Sequence, residues 1–410
     1  MDGKRKRKRT PRLPPYLKEE VIIEILVRLP VKALVRFKSV SKAWRAIISD
    51  PIFIQAHLRR SASNWQEDPC FIYVVADEDG PGRWPTTFCN HIRFYQWQLG
   101  NKVATFIHDD NEYSCNSFDQ RYFSHCDGLV LAPTDTRLYV FNPATRDAIT
   151  LPESGRNDLK RRGGEPRACY CFGLGLDPRI GKYKVVQGFY WSKDCTSMGM
   201  EVCTIADDDD HRGIWSWGKI RNDPPYLPQG CQTAPSINGY MFWRIADQPG
   251  KQQQPPRALL HLSLDDEEFG ITRLPDSLDP SLVHTFHLDV LHGRELCLTA
   301  RTIGTMLTIW TLPVVDKGLN SPWERRYSIN VSGIFHTMAL PPCSSSGIIL
   351  RRAEAIYRYD LKTCKLTTLC EMDRMALQGR RTKRQRKYDL FTFDIKRYTE
   401  SLVRITNRLQ

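Results

Sequence analysis

The sequence predicts an α+β multidomain chain, in which a small N-terminal three-helix module precedes a large all-β domain. Residues 17–60 place apolar side chains at helical spacing and are interrupted by prolines. After residue 61 the pattern changes to short runs of Trp, Tyr, Phe, Val and Ile, separated by Gly, Pro, Asn and Asp. The 410 residues are enough for both parts. The predicted divisions are a disordered basic tail at 1–12, the helical module at 13–60 and the β domain at 61–405.

The helical module begins with a helix predicted over residues 17–29. Its side chains are apolar except for a stripe of Glu20, Glu24 and Arg28 at i, i+4 spacing. Pro30 ends this helix, because proline lacks the backbone N–H and disfavours the α conformation of the residue before it.

Two more short helices complete the module. Ser39 or Ser41 can cap the second of them, which carries Trp44. Asp50-Pro51 then breaks the run before a last helical turn. A module of this size cannot enclose so much aliphatic surface, so the excess must meet the rest of the chain or a partner.

Several spaced motifs of the module match one known family. They are EIL at 24–26, RLPVK at 28–32, Leu34 with Phe37, VSK at 40–42 with Trp44-Arg45, and Ile48 through Asp50-Pro51 with Phe53. With these motifs the module resembles the F-box, which docks a substrate receptor onto the Skp-type adaptor of a cullin–RING ubiquitin ligase. The family usually opens with Leu-Pro, where this chain has Leu17-Lys18.

The resemblance implies that apolar side chains of the module divide between its own core and the adaptor. The residues predicted to bind the adaptor are Leu17, Val21, Ile22, Ile25, Leu26, Leu29, Pro30, Leu34, Phe37, Val40 and Trp44. The alternative is a helical hairpin packed only onto its own β domain.

The β domain contains twelve candidate strands. They are Phe71–Val75, Ile92–Trp97, Gly128–Leu131, Leu138–Phe141, Lys184–Phe189, Met200–Ile205, Gly239–Trp243, Leu259–Leu264, Glu295–Thr299, Leu307–Leu312, Gly347–Leu350 and Ala355–Tyr359. Each is rich in β-branched or aromatic residues and is bounded by turn-forming residues.

One hairpin unit recurs within the β domain. Residues 138–152 form a strand, an Asn-Pro turn and a second strand, and residues 356–369 repeat this plan with Asp360 in place of Asn142. Residues 259–275 repeat it with a longer acidic corner. Weaker hairpins are drawn through 92–108, 200–220, 306–329 and 389–405. A spacing of roughly 45–60 residues predicts a β-propeller of about six to eight blades, with a sandwich or another β fold as the rival.

A second resemblance lies in the β domain. The segments CDGLVLA at 126–132, FNPATRDAITLP at 141–152 and FGLGLDPRIGKYKVV at 172–186 are similar to the F-box-associated domain of plant F-box proteins. That resemblance implies a propeller-like domain that recruits a target protein. It does not indicate which residues bind the target.

The net charge of +13 is concentrated in two short runs. Six basic residues stand in a row at Lys4, Arg5, Lys6, Arg7, Lys8 and Arg9, and six more lie in a predicted basic loop at 379–387. Without these twelve charges the rest of the chain is close to neutral, which disfavours nucleic-acid binding. The first run is interpreted as a nuclear import signal or as a solvated tail.

The remaining composition predicts an intracellular protein, nuclear, cytoplasmic or both. No apolar run approaches the roughly 18 residues that span a bilayer, and the N-terminus has no apolar secretory core. The 13 cysteines include no CxxC pair and are interpreted as reduced thiols.

No motif for catalysis, a cofactor or a metal is found. Walker, GxSxG and HExxH patterns do not occur, and Gly173-x-Gly175 is interpreted as a bulge or tight turn. His284, His287 and His292 lack ligand spacing on a strand. The acidic runs 207–210 and 265–268 are interpreted as solvated corners, and Trp191, Trp215, Trp217, Trp243 and Trp310 as packing between blades.

The sequence therefore predicts a non-catalytic substrate receptor of a ubiquitin ligase. Its expected partners are a Skp-type adaptor, a cullin–RING assembly bound through that adaptor, and a target protein of unknown identity. The alternatives are a nuclear scaffold or regulator that uses the F-box outside a ligase and, less favoured, a nucleic-acid-binding protein.

Overall fold

A computed structural model describes most of the chain. The described residues are 17–64, 70–77, 91–110, 123–133, 138–154, 171–190, 198–205, 215–229, 232–246, 255–279, 281, 286–291, 293, 295–301, 305–314, 322–333, 335–340, 347–352, 355–371, 374–378 and 390–405. The basic runs at 4–9 and 379–387, the acidic run 207–210, and Trp191, His284 and His292 lie outside them. None of the described helices is long and apolar enough to cross a membrane.

The N-terminal module has four helices, where the sequence predicted three. They are α1 (Glu19–Leu26), α2 (Val31–Phe37), α3 (Lys42–Ser49) and α4 (Pro51–Asn64). The predicted last turn is α4, because Pro51 occupies the first helical position, where its missing N–H costs nothing. The Asp50 Oδ1 atom accepts a hydrogen bond from the Ile52 N–H at 2.7 Å and caps this helix. The helix also runs past the boundary predicted at residue 60.

The third helix begins at one of its predicted caps, and the first helix forms over a shorter range than predicted. The Ser41 Oγ atom accepts the Trp44 N–H at 3.1 Å, so Ser41 is the cap of α3. The first helix is shorter than the predicted 17–29, because a turn over residues 27–29 replaces its last part. The exposed ion pair between Glu24 and Arg28, at 3.1 Å, confirms the predicted polar stripe.

The β domain is a six-bladed propeller, and the blades are numbered here in chain order. Blade 1 begins with β1 (Cys70–Asp77), β2 (His91–Gln98) and β3 (Val103–Asp110). Blade 2 consists of β4 (Ser124–Cys126), β5 (Leu129–Pro133), β6 (Leu138–Asn142) and β7 (Asp147–Thr150). Blade 3 consists of β8 (Cys171–Asp177), β9 (Lys182–Tyr190), β10 (Met198–Thr204), β11 (Trp217–Lys219) and β12 (Gln232–Ala234).

The second half of the domain supplies three regular blades and two strands that return to blade 1. Blade 4 consists of β13 (Ser236–Ile237), β14 (Tyr240–Arg244), β15 (Ala258–Ser263) and β16 (Phe269–Arg273). Blade 5 consists of β17 (His287–Leu291), β18 (Glu295–Arg301), β19 (Met306–Pro313) and β20 (Glu324–Asn330). Blade 6 consists of β21 (His336–Ala339), β22 (Ile348–Arg352), β23 (Ala355–Asp360) and β24 (Lys365–Glu371), and the chain continues with β25 (Ala376–Leu377) and β26 (Leu390–Arg397).

All twelve candidate strands are confirmed, but the hairpin drawn through 389–405 is wrong. The last strand, β26, pairs antiparallel with β1, and β25 pairs with β3. The strand order of blade 1 is therefore β25-β3-β2-β1-β26, so one sheet contains both the first and the last strand of the β domain. This pairing closes the ring of blades, because the last strand of the domain completes the first blade.

Apolar side chains from neighbouring blades form the core. Trp243 and Trp310 are buried among such side chains, which confirms their predicted packing role. Gly173 and Gly175 lie within β8 in unbroken register, so the predicted bulge or turn is wrong. A Cβ atom at Gly173 would lie 2.7 Å from Met241 Sδ of blade 4, so these glycines allow close packing between blades.

The recurring hairpin corners form as predicted. The Asn142 Oδ1 atom accepts the Ala144 N–H at 2.9 Å, and the Asp360 Oδ1 atom accepts the Lys362 N–H at 2.8 Å. Side-chain oxygens thus replace backbone acceptors at the same position of both corners. The acidic corner at 265–268 is only partly solvated, because Glu267 pairs with Lys184 of blade 3 at 2.8 Å.

Candidate functional site

Exposed apolar side chains are concentrated on the helical module. Among the described residues, the exposed large hydrophobic side chains are Leu17, Val21, Ile23, Ile25, Val35, Val40 and Ile52 of the module and Val103, Ile180, Ile271 and Leu366 of the propeller. Seven of these eleven thus fall within a single short segment, residues 17–52. We call those seven the exposed helical set. Such a local concentration is typical of a surface that binds a partner.

The residues predicted to bind the adaptor differ in how exposed they are. Leu17, Val21, Ile25, Pro30 and Val40 are exposed, and Ile22, Leu29, Phe37 and Trp44 are half-buried. The half-buried rings of Phe37 and Trp44 pack edge to face with centroids 5.2 Å apart. These side chains therefore contribute to the module's own packing and still reach its surface.

Leu26 and Leu34 require a correction. Their side chains are 1% and 0% exposed and pack in the module's core with Val31, Ile48 and Phe53. A side chain without exposed surface cannot lose more on binding, so these two residues instead form the core beneath the exposed helical set. The residue before Leu26 on α1 has a very different exposure, since the Ile25 side chain is 47% exposed.

Three members of the exposed helical set were not among the predicted adaptor residues. They are Ile23, Val35 and Ile52, of which Ile52 is the most exposed at 81%. The sequence predicted a broken helix at Asp50-Pro51, which hid the position of Ile52 at the start of α4. Helical spacing also cannot separate Val35 from the buried Leu34 beside it without the tertiary contacts.

The buried imidazole of His57 on α4 fixes the turn after α1. Its Nε2 atom lies 2.9 Å from the carbonyl oxygen of Leu29. Burial lowers the pKa of His57, so the ring is neutral at pH 7 and Nε2 carries the hydrogen that is donated. The hydrogen bond holds Leu29 and Pro30 against α4.

A segment from the far end of the chain completes the module's core. Residues 398–405 follow the closing strand β26, and we call them the C-terminal clasp. Leu402 of the clasp is fully buried among the core side chains of the module, and Ala144 of blade 2 packs at the same place. Burial of one leucine stabilises this contact by about 1.5–3 kcal/mol.

Hydrogen bonds hold the clasp to both domains. The Glu400 carboxylate accepts the Val31 N–H at the start of α2, at 3.2 Å, and the Gln96 amide of blade 1, at 2.9 Å. The Asn142 amide of blade 2 donates to the carbonyl oxygens of Ser401, at 3.1 Å, and Val403, at 2.6 Å. The closing strand therefore continues into the joint between the module and the propeller.

Gly128 allows the clasp to approach blade 2, which yields a prediction. Its φ is +83°, and a Cβ atom there would lie 2.5 Å from Ser401 Oγ and 2.8 Å from the Thr399 carbonyl oxygen. We expect Gly128→Ala to lower the free energy of unfolding by about 2–4 kcal/mol, from backbone strain and overpacking. Denaturant-induced unfolding measures this loss.

Gly100→Ala is the matched control for that change. Gly100 has a φ of +93° but open space where the Cβ atom would lie. It should lose only the strain of a positive φ, about 1–2 kcal/mol. Equal losses in the two variants would show that the clasp does not press on Gly128.

Among the described residues, no group of three or more His, Cys, Asp or Glu side chains could hold a metal ion. His287 instead stacks on His336 of blade 6, with ring centroids 3.4 Å apart.

The fold and the exposed helical set define a class: a propeller protein that carries an N-terminal helical docking module. Comparison with protein families places the chain within this class. Residues 89–405 match the F-box associated beta propeller domain, and residues 16–55 match the F-box domain. The chain belongs to the family of plant F-box proteins with this propeller domain.

Curated relatives from Arabidopsis thaliana agree with this assignment. An F-box/kelch-repeat protein is 26% identical over 420 residues, which covers 95% of this chain and 87% of the relative. A second F-box/kelch-repeat protein is 26% identical and covers 77% of this chain and 68% of that relative. A third, an F-box protein, is 30% identical over 62% of this chain and 58% of the relative.

Proposed function

We propose that the chain is the substrate-recognition subunit of a Skp–cullin–F-box ubiquitin ligase. In this proposal the F-box docks the Skp-type adaptor, and the propeller recruits a target protein. The observation that carries the proposal is the exposed helical set, which lies within the F-box and is left uncovered by the propeller. The family assignment supports it, because an F-box implies adaptor binding.

The exposed apolar surface favours a partner that presents an apolar face of its own. Val21 and Ile25 lie one turn apart on α1, Leu17 lies just before the helix, and the three side chains are each between 44% and 49% exposed. Complete burial of a Leu, Val or Ile side chain contributes about 1.5–3 kcal/mol, so the exposed halves of several such side chains can sustain a stable complex. The half-buried Phe37 and Trp44 would anchor its centre, as aromatic hot spots do.

The chain itself would act without catalytic groups. The propeller would hold a target close to a conjugating enzyme carried by the same assembly, and the raised effective concentration would accelerate transfer. The C-terminal clasp supports this role, since it fixes the F-box against blades 1 and 2 through Leu402, Glu400 and Asn142. A fixed joint keeps the target at one distance from the adaptor.

Ile25→Asp tests the docking surface. Ile25 is 47% exposed, so the substitution should leave the fold intact but place a charge in the adaptor contact. We expect adaptor affinity to fall at least tenfold in a pull-down and in titration calorimetry. Circular dichroism should be unchanged.

Ile271→Asp is the matched control, because this isoleucine is also 47% exposed but lies on β16 of the propeller. It should retain full adaptor affinity. Unchanged affinity in Ile25→Asp would contradict docking through α1. A reconstituted ubiquitin-transfer assay separates a ligase subunit from a scaffold, because a scaffold would bind the adaptor and support no transfer.

A further inference from the structure

A small pocket lies between blades 1 and 2, beside the joint that holds the F-box. Its volume is about 140 Å³, close to that of an engineered cavity of roughly 150 Å³ that binds benzene. Its walls are mainly apolar and consist of Phe106 and Ile107 of β3 and Phe141, Pro143 and Ala148 of blade 2. Arg146 and Ala148 are exposed, so the pocket opens to the surface on their side. The pocket can therefore receive one apolar side chain of about the size of a phenyl ring.

Three polar side chains also line this pocket, and two of them are engaged within the protein. The Asn142 amide donates to carbonyl oxygens of the C-terminal clasp, and its Oδ1 atom accepts a backbone N–H of its own corner. The Asp147 Oδ2 atom accepts the Thr145 hydroxyl at 3.0 Å and lies 3.8 Å from Arg404 Nε. Arg404 thus offsets the charge of Asp147, and the third side chain, Arg146, leaves the mouth of the pocket with a net positive charge.

The guanidinium group of Arg146 is available to a ligand. It makes no hydrogen bond or ion pair with any residue that the structure describes. The group carries a permanent charge and five N–H donors in a planar fork, which matches the two oxygens of a carboxylate. An acidic group placed next to the occupant of the pocket would therefore lie within reach of Arg146.

The backbone at Arg146 makes the choice of residue informative. Its φ is +66°, a conformation in which any side chain costs free energy relative to glycine. The equivalent corners of blades 4 and 6 carry Glu267 and Cys364 at φ values of +60° and +53°. Glu267 uses its side chain to pair with Lys184 of blade 3. Arg146 has no such pairing with a described residue, so the fold does not account for an arginine at this strained position.

We propose that this pocket binds a segment of the target protein, with one phenyl-sized side chain between the blades and a neighbouring carboxylate on Arg146. The inference rests on the proposed function and adds the place on the propeller and the chemistry of the target. The rings of Phe106 and Phe141 favour an aromatic occupant, because aromatic pairs gain energy beyond burial. The carboxylate adds charge-assisted hydrogen bonds. Asn142 joins this corner to the clasp, so the target is held close to the F-box.

A short peptide with one phenylalanine flanked by glutamates is the probe. It is titrated against the full-length protein without adaptor, at constant ionic strength, and the broadening of its phenyl NMR signals follows binding. We expect saturable binding with a dissociation constant of about 1 mM or tighter. Absence of saturable binding would overturn the proposal.

Two altered peptides separate the pocket from general attraction to a basic protein. One has serine in place of phenylalanine and keeps the charge, and the other has glutamine in place of both glutamates and keeps the ring. Each should bind at least tenfold more weakly than the probe, because each lacks one of the two contacts. If the serine peptide bound as tightly as the probe, the pocket would not hold the ring and the proposal would fail.

Arg146→Gly locates the site with little risk to the fold, because glycine is favoured at a positive φ. It should bind the probe at least tenfold more weakly and no longer distinguish it from the glutamine peptide, while its melting temperature should not fall. Arg146→Lys keeps the charge without the planar fork and should retain binding within about fivefold.

Cys364→Gly is the matched control, because it makes the same backbone change at the equivalent corner of blade 6. It should bind the probe as the wild type does. Equal weakening in Arg146→Gly and Cys364→Gly would overturn the assignment of the site. Adaptor affinity should be the same in all three variants, so a failure of peptide binding is distinguishable from a failure of adaptor docking.

Discussion

Replacement of Leu402 by aspartate should unfold the F-box core while the propeller stays folded. Leu402 is fully buried among the side chains of the helical module, although the module lies more than 300 residues earlier in the chain. Truncation of a buried leucine to alanine costs about 2–5 kcal/mol, and a buried carboxylate adds its desolvation penalty. We therefore expect a loss of at least about 4 kcal/mol in the local stability of the module.

Hydrogen exchange measures this loss element by element. The amides of α2 and α3 should exchange far faster in Leu402→Asp than in the wild type, and those of blades 3 and 4 should be unaffected. Leu366→Asp is the control, because this leucine is 38% exposed on β24. It should change local stability by less than about 0.5 kcal/mol. If the amides of α2 and α3 exchanged in Leu402→Asp as slowly as in the wild type, Leu402 would not stabilise the module's core.

The second large effect is expected at Lys184, which joins blades 3 and 4. Its ammonium group lies 2.9 Å from Asp177 Oδ2 and 2.8 Å from Glu267 Oε1, and the Lys184 and Asp177 side chains are 5% and 0% exposed. Burial alone would lower the pKa of Lys184, but the hydrogen bonds to Glu267 and Asp177 outweigh it and raise the pKa. The ion pair is therefore fully formed at neutral pH and is lost only as the pH rises through that raised value.

Lys184→Met should cost about 3–5 kcal/mol in the free energy of unfolding, because it leaves the buried Asp177 carboxylate without its cation. Denaturant-induced unfolding at pH 7 measures the loss. Lys219→Met is the control. The Lys219 Nζ atom lies 3.7 Å from Asp223 Oδ1, and both side chains are 58% exposed, so this change should cost less than about 1 kcal/mol.

A double variant tests the cause of that loss. Asp177→Asn keeps an oxygen for the N–H groups of Arg179 and Ile180, which Asp177 Oδ1 now accepts at 2.9 and 3.3 Å. Combined with Lys184→Met, it should recover part of the lost stability, because no buried charge remains unpaired. A fully additive double variant would mean that the two side chains do not interact.

Local hydrogen bonding explains why much of the fold could be predicted. The corners at Asn142 and Asp360 and the cap at Ser41 each join atoms two or three residues apart, so residue type and spacing specify them. Strand positions were likewise set by runs of β-branched and aromatic residues. The prediction failed where one local motif is compatible with two structures. Asp50-Pro51 can end a helical run or begin a new helix, and in this chain it begins α4.

The sequence predicted a docking segment but not its exposed surface. The motifs of the module indicated that segment, yet they could not distinguish the exposed Ile25 from the buried Leu26 beside it. That distinction depends on which side of α1 faces Leu402 and the other core side chains. Ile52 was missed for a related reason, because its exposure depends on the helix that starts at Pro51.

The sequence by itself determined the two-part organisation, the F-box motifs, the strands and the chemistry of their corners. All of these arise from side chains close together in the chain. Only the tertiary structure decided that β26 closes the ring on β1, that Glu400 meets the N–H of Val31, and that Lys184 pairs with both Asp177 and Glu267. These contacts join residues up to 369 positions apart, and no periodicity in a sequence specifies which distant segments the packed blades bring together.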